Sequence, residues 1–192
     1  IVGAASILIN TQLENSEIII RRATDGELIT TLDEKQFKLS TDNLVICDSV
    51  KPVALAGVMG GLNSEIENTT KNIVFESARF ARDNIRKTSR SMGQRTDASS
   101  RYEKGVDFYS VEMGLKRALS LIDELNCGEI ASNGYDLYEE EIKEKTINTT
   151  VSKVNGVLGL DIDKETIKDI LTRLNFKVEF DGDNLSVQVP LY

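Results

Sequence analysis

The residues best suited to chemistry form one hydrophilic segment, residues 94–105, in which small hydroxyl side chains alternate with charged ones and no apolar run intervenes. The segment is therefore either a solvated loop or a site loop that presents hydroxyl and guanidinium groups to a ligand. Glu76, at the end of an apolar run, is a second candidate. Because an unpaired buried carboxylate is expensive, Glu76 is either a paired structural charge or a site residue.

A glycine pattern at residues 57–61 also follows an apolar run. Glycines after a strand indicate a close approach of the backbone, either to another chain segment or to a ligand, and the residues leave both interpretations open. The pattern lacks G-x-G-x-x-G and the Gly-Lys-Ser/Thr of a phosphate-binding loop. A nucleotide-binding enzyme is therefore the weakest of the candidate functions.

The composition excludes several kinds of chemistry. The 192 residues are 40% hydrophobic and 28% charged, with a net charge of −8 and no histidine. Without histidine, catalysis must use carboxylates, hydroxyls, backbone groups or the substrate itself, and we predict no metal site. No stretch approaches the roughly 20 apolar residues that cross a bilayer, so we expect a cytoplasmic protein without a membrane partner. Cys47 and Cys127 are expected to be buried thiols.

Basic residues are concentrated in one stretch. Between positions 79 and 104 there are three acidic residues and eight basic ones, namely Arg79, Arg82, Arg86, Lys87, Arg90, Arg95, Arg101 and Lys104. The stretch carries a local charge of +5, whereas the rest of the chain carries −13. It is either a contact for an anionic ligand or a solvated helix face.

The elements that must position these residues begin as strands and continue as helices. A hairpin is predicted from 18–20 and 28–32 around a turn at Asp25-Gly26, followed by strands at 44–47, 53–56 and 72–75. Helices are predicted at 83–92, with Gly93 as its cap, and at 115–125, before a strand at 130–138.

The last part of the chain predicts a second, small unit. The acidic stretch 139–145 is typical of a solvated connector, so we place a boundary between 147 and 148. Beyond it we expect two helices, the second capped by Asp163, and a hairpin of 176–180 and 185–189, which together resemble part of a winged-helix module. Since the chain has no initiator Met and stops without a terminal element, we expect both units to be truncated.

Four motifs in one order and spacing resemble the beta subunit of bacterial phenylalanyl-tRNA synthetase. They are Ala-Gly-Val-Met-Gly-Gly at 56–61, Phe-Glu-Ser-Ala at 75–78, Ile-Arg-Lys-Thr-Ser-Arg at 85–90 and the segment from Thr96 to Asp107. Residues 154–159 and 171–178 resemble the start of the helical domain that follows in that subunit. The resemblance implies an α+β fold in which residues 1–147 form a mixed β-sheet editing domain with packed helices, and 148–192 form a truncated winged-helix-like α+β unit.

The resemblance also implies a function. The subunit supports charging of tRNA(Phe), and its editing domain hydrolyses tyrosine wrongly esterified to that tRNA. Tyrosine differs from phenylalanine by one hydroxyl, and a largely apolar synthetic pocket rejects an added hydroxyl only by about two orders of magnitude. A second site that recognises this hydroxyl is therefore needed. The implied partners are tRNA(Phe) and the alpha subunit, in a heterotetramer. ATP and magnesium are expected for the full enzyme, and no cofactor for this fragment.

Site residues follow from the matched motifs. Glu76 is expected to accept a hydrogen bond from the tyrosine phenol, Gly60 to shape that pocket, Thr96 to be the catalytic residue beside the ester, and Ala98 to keep the pocket open. Three residues are expected to lock the loop to the fold through ion pairs and hydrogen bonds: Arg101, Glu103 and Lys104. The family usually carries a His-Ala-Phe-Asp segment where this chain has Ser6-Ile7-Leu8-Ile9, and a leucine where it has Gln94.

Hydrolysis would therefore use a water held by backbone groups and hydroxyls, with assistance from the ribose hydroxyl. The alternative is a module that contacts tRNA and holds subunits together without doing chemistry.

Overall fold

The computed structural model describes residues 7–10, for the backbone alone, 17–130 and 144–191. The chain divides into two compact units, Ile1–Leu137 and Tyr138–Tyr192. Both combine helices with antiparallel strands, so the α+β class is confirmed. None of the helices within these ranges is both long and apolar enough to span a membrane.

The described residues of the first unit form three small sheets. A four-stranded sheet has the order β2-β5-β6-β7, and two further pairs are β3-β4 and β1-β8. The strand bounds are β1 Ile7–Asn10, β2 Ile19–Arg22, β3 Leu28–Thr30, β4 Gln36–Lys38, β5 Leu44–Cys47, β6 Pro52–Leu55, β7 Met59–Gly60 and β8 Ile73–Glu76. Every strand pair within the described ranges is antiparallel, which corrects the expectation of a mixed sheet. Parallel pairs require long crossover connections, whereas β3 to β7 are joined by short turns.

The core lies around β5 and β6, whose predicted positions are confirmed. Val45, Ala54 and Leu55 are completely inaccessible to solvent. These strands read as continuous apolar runs rather than alternating ones because both of their faces are covered. The same core extends to the helices through Ile85 and Tyr102.

The predicted first hairpin is wrong. β2 pairs with β5, and β3 pairs with β4 across a turn at residues 31–35. The chain does turn at Asp25-Gly26, where Gly26 has a φ of 83°. Glu27 fixes this turn by accepting hydrogen bonds from the Thr24 amide at 2.9 Å and from both terminal nitrogens of Arg21. The turn thus redirects the chain instead of pairing its two arms.

Three helices lie in the described part of the first unit: α1 Arg82–Ser91, α2 Asp97–Tyr102 and α3 Tyr109–Leu125. The predicted end of α1 is confirmed, since Gly93 has a φ of 61° and the Gln94 amide donates back to the Ser89 carbonyl at 2.9 Å. The hydrophilic segment 94–105 was expected to be a loop, and this is corrected because six of its residues form α2. α3 ends at Asn126 in the left-handed conformation.

The second unit contains β9 Lys145–Thr150, α4 Val151–Leu158, α5 Lys164–Arg173, β10 Lys177–Asp181 and β11 Asn184–Val189. Its sheet has the order β10-β11-β9. The two helices, the cap at Asp163 and the hairpin are confirmed, because the Asp163 carboxylate accepts from the Thr166 amide at 2.7 Å and β10 pairs with β11. A small core is formed by Val151, Ile167 and Leu185 with their neighbours.

The sequence did not predict β9, which spans the boundary expected between 147 and 148. The strand expected at 130–138 and most of the acidic connector lie outside the described residues. The roles assigned to residues 1–147 and 148–192, and the winged-helix class of the second unit, stay predictions.

Candidate functional site

The N-terminus of α2 is tied directly to the glycine turn at 57–61. Thr96 precedes the helix, and its hydroxyl accepts a hydrogen bond from the Ser99 amide at 3.0 Å and donates one to the Val58 carbonyl at 2.7 Å. The Ser99 hydroxyl reciprocates by accepting from the Thr96 amide at 2.9 Å. This reciprocal cap is what allows a six-residue helix to form from a sequence with little helical propensity. Two of the four sequence motifs are thereby joined.

A second polar contact fixes the linker that leads into α2. The buried Gln94 side chain donates to Asp33 at 2.8 Å and lies 3.4 Å from the Met59 sulfur, and its carbonyl oxygen is 3.4 Å from the Lys35 ammonium. Lys35 also pairs with Asp33 at 2.7 Å. Hydrogen bonds from Lys35, Thr31 and Gln94 hold the pKa of Asp33 well below its ordinary value. We call Asp33, Lys35 and Gln94 the polar clamp, since they join the β3-β4 turn to the glycine turn.

The residues that follow Glu76 are anchored one by one. The Ser77 hydroxyl donates to the Val111 carbonyl in α3 at 2.8 Å, and the Tyr102 hydroxyl donates to the Ala78 carbonyl at 3.1 Å. The Arg79 guanidinium lies over the Phe108 ring, 3.9 Å from its centre. The Phe80 ring meets the Tyr102 ring edge to face at 5.0 Å. These contacts hold residues 77–80 against α2 and the start of α3.

Glu76 itself is different from its neighbours. Both of its carboxylate oxygens are buried, and neither has a hydrogen-bond partner among the residues that the structure describes. Burial raises the pKa of this carboxyl from its ordinary 4.5 to about 8, because the charged form is poorly solvated there. At neutral pH the group is therefore mostly a neutral carboxylic acid, with a hydroxyl to donate and a carbonyl oxygen to accept.

The glycine turn is closed by protein atoms. Gly57 has a φ of 67°, and a Cβ atom there would lie 2.7 Å from the Phe80 ring and 2.8 Å from Ile85. A Cβ on Gly61 would lie 2.7 Å from the Val53 carbonyl oxygen. Close packing of chain segments is therefore the interpretation that the geometry favours at these two glycines. The close packing at these glycines leaves little room for a nucleotide on this turn.

The remaining predicted site residues surround the same junction. Gly60 is buried, and its carbonyl accepts from the Leu32 amide at 3.0 Å, while Ala98 is half-buried against the core. Glu103 lies 3.9 Å from Arg95. Two further side chains, Arg101 and Lys104, are exposed and make no ion pair or side-chain hydrogen bond within the described ranges. The assignment of Arg101, Glu103 and Lys104 as locking residues stays a prediction.

Other residues hold α2 in place, and the sequence did not single them out. Tyr102 and Ser99 are 2% and 1% exposed and face the core, and the Ser89 hydroxyl in α1 donates to the Gln94 carbonyl at 2.7 Å. The three-residue spacing of Ser99 and Tyr102 on one helical face was the available signal. Only the knowledge that this segment is helical would have revealed it.

Two other features lie away from this junction. A concavity of about 470 Å³ is bounded by Leu28, Gln36, Pro52 and Leu62, among others, and none of the predicted site residues lines it. Cys47 is buried as expected, but Cys127 is exposed, which corrects the prediction for that thiol. Cys127 follows the C-terminal end of α3, where the chain is open to solvent. No set of three or more acidic or cysteine side chains in the described ranges is arranged to hold a metal.

Comparison with known families defines the class of protein. Residues 9–127 match the model of the B3/4 domain, and the chain therefore belongs to the B3/4 domain family. Residues 147–192 match the model of the tRNA synthetase B5 domain. These two matches cover most of the first unit and of the second.

Beta subunits of phenylalanine-tRNA ligase are among the curated proteins that the chain resembles. The chain is 40% identical to that of Clostridium tetani, 42% identical to that of Clostridium acetobutylicum and 41% identical to that of Geobacter sulfurreducens, in each case over 94% of this chain and 23% of the relative. The resemblance inferred from the motifs is thus confirmed. The chain spans less than a quarter of the length of these relatives.

Solved structures that are similar to the chain include a crystal structure of an N-terminal fragment of the phenylalanyl-tRNA synthetase beta-subunit from Pyrococcus horikoshii. The similarity covers 99% of this chain and 55% of that chain, with a TM-score of 0.43 and 12% identity.

Proposed function

We propose that the chain is a piece of the beta subunit of a phenylalanine-tRNA ligase, and that its first unit hydrolyses tyrosine wrongly esterified to tRNA(Phe). The B3/4 and B5 matches and the similarity to curated beta subunits support the first part. The buried carboxyl of Glu76, without a partner in the described structure, supports the second. On this proposal the partners are tRNA(Phe) and an alpha subunit, and ATP and magnesium serve aminoacylation elsewhere in the complete ligase.

Glu76 would recognise the one group by which tyrosine differs from phenylalanine. A neutral carboxylic acid can accept a hydrogen bond from the phenol hydroxyl and donate one to the phenol oxygen. Phenylalanine would occupy the same space and leave the buried carboxyl unpaired. Sites built to bind a substrate hydroxyl reject the analogue that lacks it by about four to five orders of magnitude. Such selection needs a buried carboxyl that is free to pair with the substrate, and Glu76 has no partner among the described residues.

Thr96 would act beside the ester with limited freedom. Its hydroxyl proton is committed to the Val58 carbonyl and one lone pair to the Ser99 amide, so one lone pair is left to accept from a water or a ribose hydroxyl. The water oxygen would attack the ester carbonyl carbon, and the bond from that carbon to the ribose oxygen would break. One water proton would pass to the ribose oxygen, which yields tyrosine and the free tRNA end. Gly60 would shape the pocket and Ala98 would leave room for the amino acid.

A second candidate function has its own support. Both hydrogen bonds of the Thr96 hydroxyl serve the fold, since the one from the Ser99 amide caps α2 and the one to the Val58 carbonyl joins α2 to the glycine turn. This is what a non-catalytic module would show, one that contacts tRNA and holds subunits together. The two functions differ in what the loss of Glu76 does.

The test uses the complete beta subunit assembled with its alpha partner. We would measure release of tyrosine from Tyr-tRNA(Phe) and of phenylalanine from Phe-tRNA(Phe) for the parent protein and for Glu76→Ala, Glu76→Gln and Thr96→Val. The exposed carboxylate Glu129 supplies a control, Glu129→Gln. The editing proposal predicts that Glu76→Ala loses hydrolysis of the tyrosyl ester, that Glu76→Gln retains part of it and that the control is unchanged.

Two outcomes would count against editing at this site. If Glu76→Ala hydrolysed the tyrosyl ester as rapidly as the parent protein, Glu76 would not be part of the pocket. Absence of hydrolysis in the parent protein, with tRNA(Phe) still bound, would favour the non-catalytic module.

A further inference from the structure

We infer that the exposed face of α1 is a contact surface for the phosphate backbone of tRNA, formed by Arg82, Arg86, Lys87 and Arg90, which we call the basic row. The inference rests on the proposed function for the identity of the RNA. It goes beyond that proposal by assigning the surface that holds the nucleic acid while its end is read in the pocket.

The helix separates its polar and buried faces cleanly. Ile85, Thr88 and Ser89 are buried, whereas the members of the basic row are exposed. The buried face is fixed, since the Thr88 hydroxyl accepts from the Asn43 side chain at 3.2 Å and the Ser89 hydroxyl donates to the Gln94 carbonyl. The row is therefore presented on a firmly held helix.

Three arginines of the row lie four residues apart. Arg82, Arg86 and Arg90 consequently follow one line along the helix, at intervals of about 6 Å. Like charges at this spacing repel one another and destabilise a helix. The only ion pair of the row within the described residues joins Arg82 to the adjacent Asp83 at 3.7 Å, and both of those side chains are largely exposed.

The other charged helices of this chain are arranged differently. In α3 Glu112 pairs with Lys116, four residues later, and in α5 Asp169 pairs with Arg173 at the same spacing. Opposite charges at this spacing stabilise a solvated helix. Two exposed helix faces of this chain, on α3 and α5, therefore carry the opposite-charge pairs that are typical of a solvated face, whereas the exposed face of α1 does not. A row of like charges becomes favourable when an anion neutralises it.

The chemistry of the row selects the kind of anion. Three of its four members are arginines, whose planar guanidinium group matches a phosphate with two parallel hydrogen bonds. Their 6 Å interval is comparable with the distance between successive phosphates of one strand. The exposed positions of α1 carry no apolar side chain, so the surface lacks the apolar anchor that a protein partner usually needs. The rest of the chain is strongly acidic and would confine an RNA to this stretch.

The experiment measures equilibrium binding of tRNA(Phe) to the complete subunit with its alpha partner, at several potassium chloride concentrations. The variant Arg86→Gln with Arg90→Gln removes two charges from the row. The matched control, Lys116→Gln with Arg117→Gln, removes two exposed basic charges from α3. Because each phosphate contact adds roughly 0.7 to 0.9 to the slope of log affinity against log salt, the row variant is expected to lower the slope by roughly 1.5. At low salt it is expected to bind about 10- to 100-fold more weakly.

Equal weakening in the row variant and the control would overturn the inference, since net charge alone would then explain the effect. An unchanged salt slope would also overturn it. Normal tRNA binding combined with loss of the alpha subunit would show that the row binds a protein instead. Hydrolysis of Tyr-tRNA(Phe), measured on the same samples, separates this inference from the proposed function. If tRNA binding depended on the basic row but no Tyr-tRNA(Phe) were hydrolysed, the contact surface would be supported and the editing proposal would be rejected.

Discussion

Replacing Thr96 by valine tests whether its hydroxyl serves the fold. Valine has nearly the same shape, so the change removes two hydrogen bonds without creating a cavity. Loss of the helix cap costs typically about 1 kcal/mol. The Val58 carbonyl belongs to a residue that is 2% exposed, and leaving it unpaired costs about 1 to 3 kcal/mol more. The free energy of unfolding is therefore expected to fall by about 2 to 4 kcal/mol.

Thr96→Ser is the matched control. Serine keeps the hydroxyl that accepts from the Ser99 amide and donates to Val58, and it loses only a methyl group on a half-buried side chain. Its expected cost is below about 1 kcal/mol. Urea unfolding followed by circular dichroism measures both variants, and an unchanged slope with a lower midpoint would assign the effect to stability. If the valine variant were as stable as the serine variant, the hydroxyl would be free for substrate and our account of the α2 cap would be refuted.

Three further predictions concern the surroundings of the same junction. Because the pKa of Glu76 is raised to about 8, the unfolded chain releases this proton at lower pH than the folded protein, so stability should fall as pH rises from about 4.5 to 8. The fall in the free energy of unfolding amounts to about 3 kcal/mol at pH 7, and Glu76→Gln should flatten it. If the melting curves of the parent protein and of Glu76→Gln had the same pH dependence, this prediction would be contradicted. Gly57→Ala should lower the free energy of unfolding by about 1 to 3 kcal/mol or more, because the new methyl group would overlap with Phe80. Gly93 has a similar φ but nothing within 4 Å of the added atom, so Gly93→Ala should lower it by only about 1 kcal/mol. Urea titration measures both variants. Gln94→Glu should destabilise the protein because it brings a second carboxylate to Asp33, and adding Asp33→Asn should restore much of the lost stability. If the effects of the two substitutions on the free energy of unfolding were strictly additive in a double-mutant cycle, the polar clamp would be refuted.

Local signals in the sequence predicted the ends of elements well. The cap at Asp163 and the glycine after α1 were identified because each depends on a single residue and its immediate neighbours. The pairing of β2 was missed because its partner β5 lies more than 20 residues away, beyond the reach of a turn signal. β9 was missed because an acidic connector was expected to continue into it, although Thr146, Ile147 and Thr149 form a β-branched run typical of a strand.

The candidate site was predictable as a set of segments but not as a set of contacts. The motifs identified Glu76 and Thr96, and the structure joins Thr96 to the glycine turn. What no local pattern could indicate is how the hydroxyl of Thr96 is shared between two backbone groups, or that Glu76 has no partner among the described residues. Both properties depend on segments far apart in the chain. The helical state of 97–102 was missed for the same reason, since the buried Tyr102 stabilises it through a tertiary contact with Ala78.

Glu76 has no partner among the described residues, although the segment that follows it is firmly anchored, and this combination favours function over stability as the reason for a glutamate at position 76. Four successive residues, 77–80, each make a defined contact, so the chain has ample means to satisfy polar groups in this region. A carboxyl left without a partner lowers the stability of the folded state and is the sort of group that selection for stability alone removes. The expected result for Glu76→Gln is therefore a more stable protein at neutral pH that discriminates tyrosine less well. A variant that lost stability and kept full selectivity would show that Glu76 is a structural residue after all.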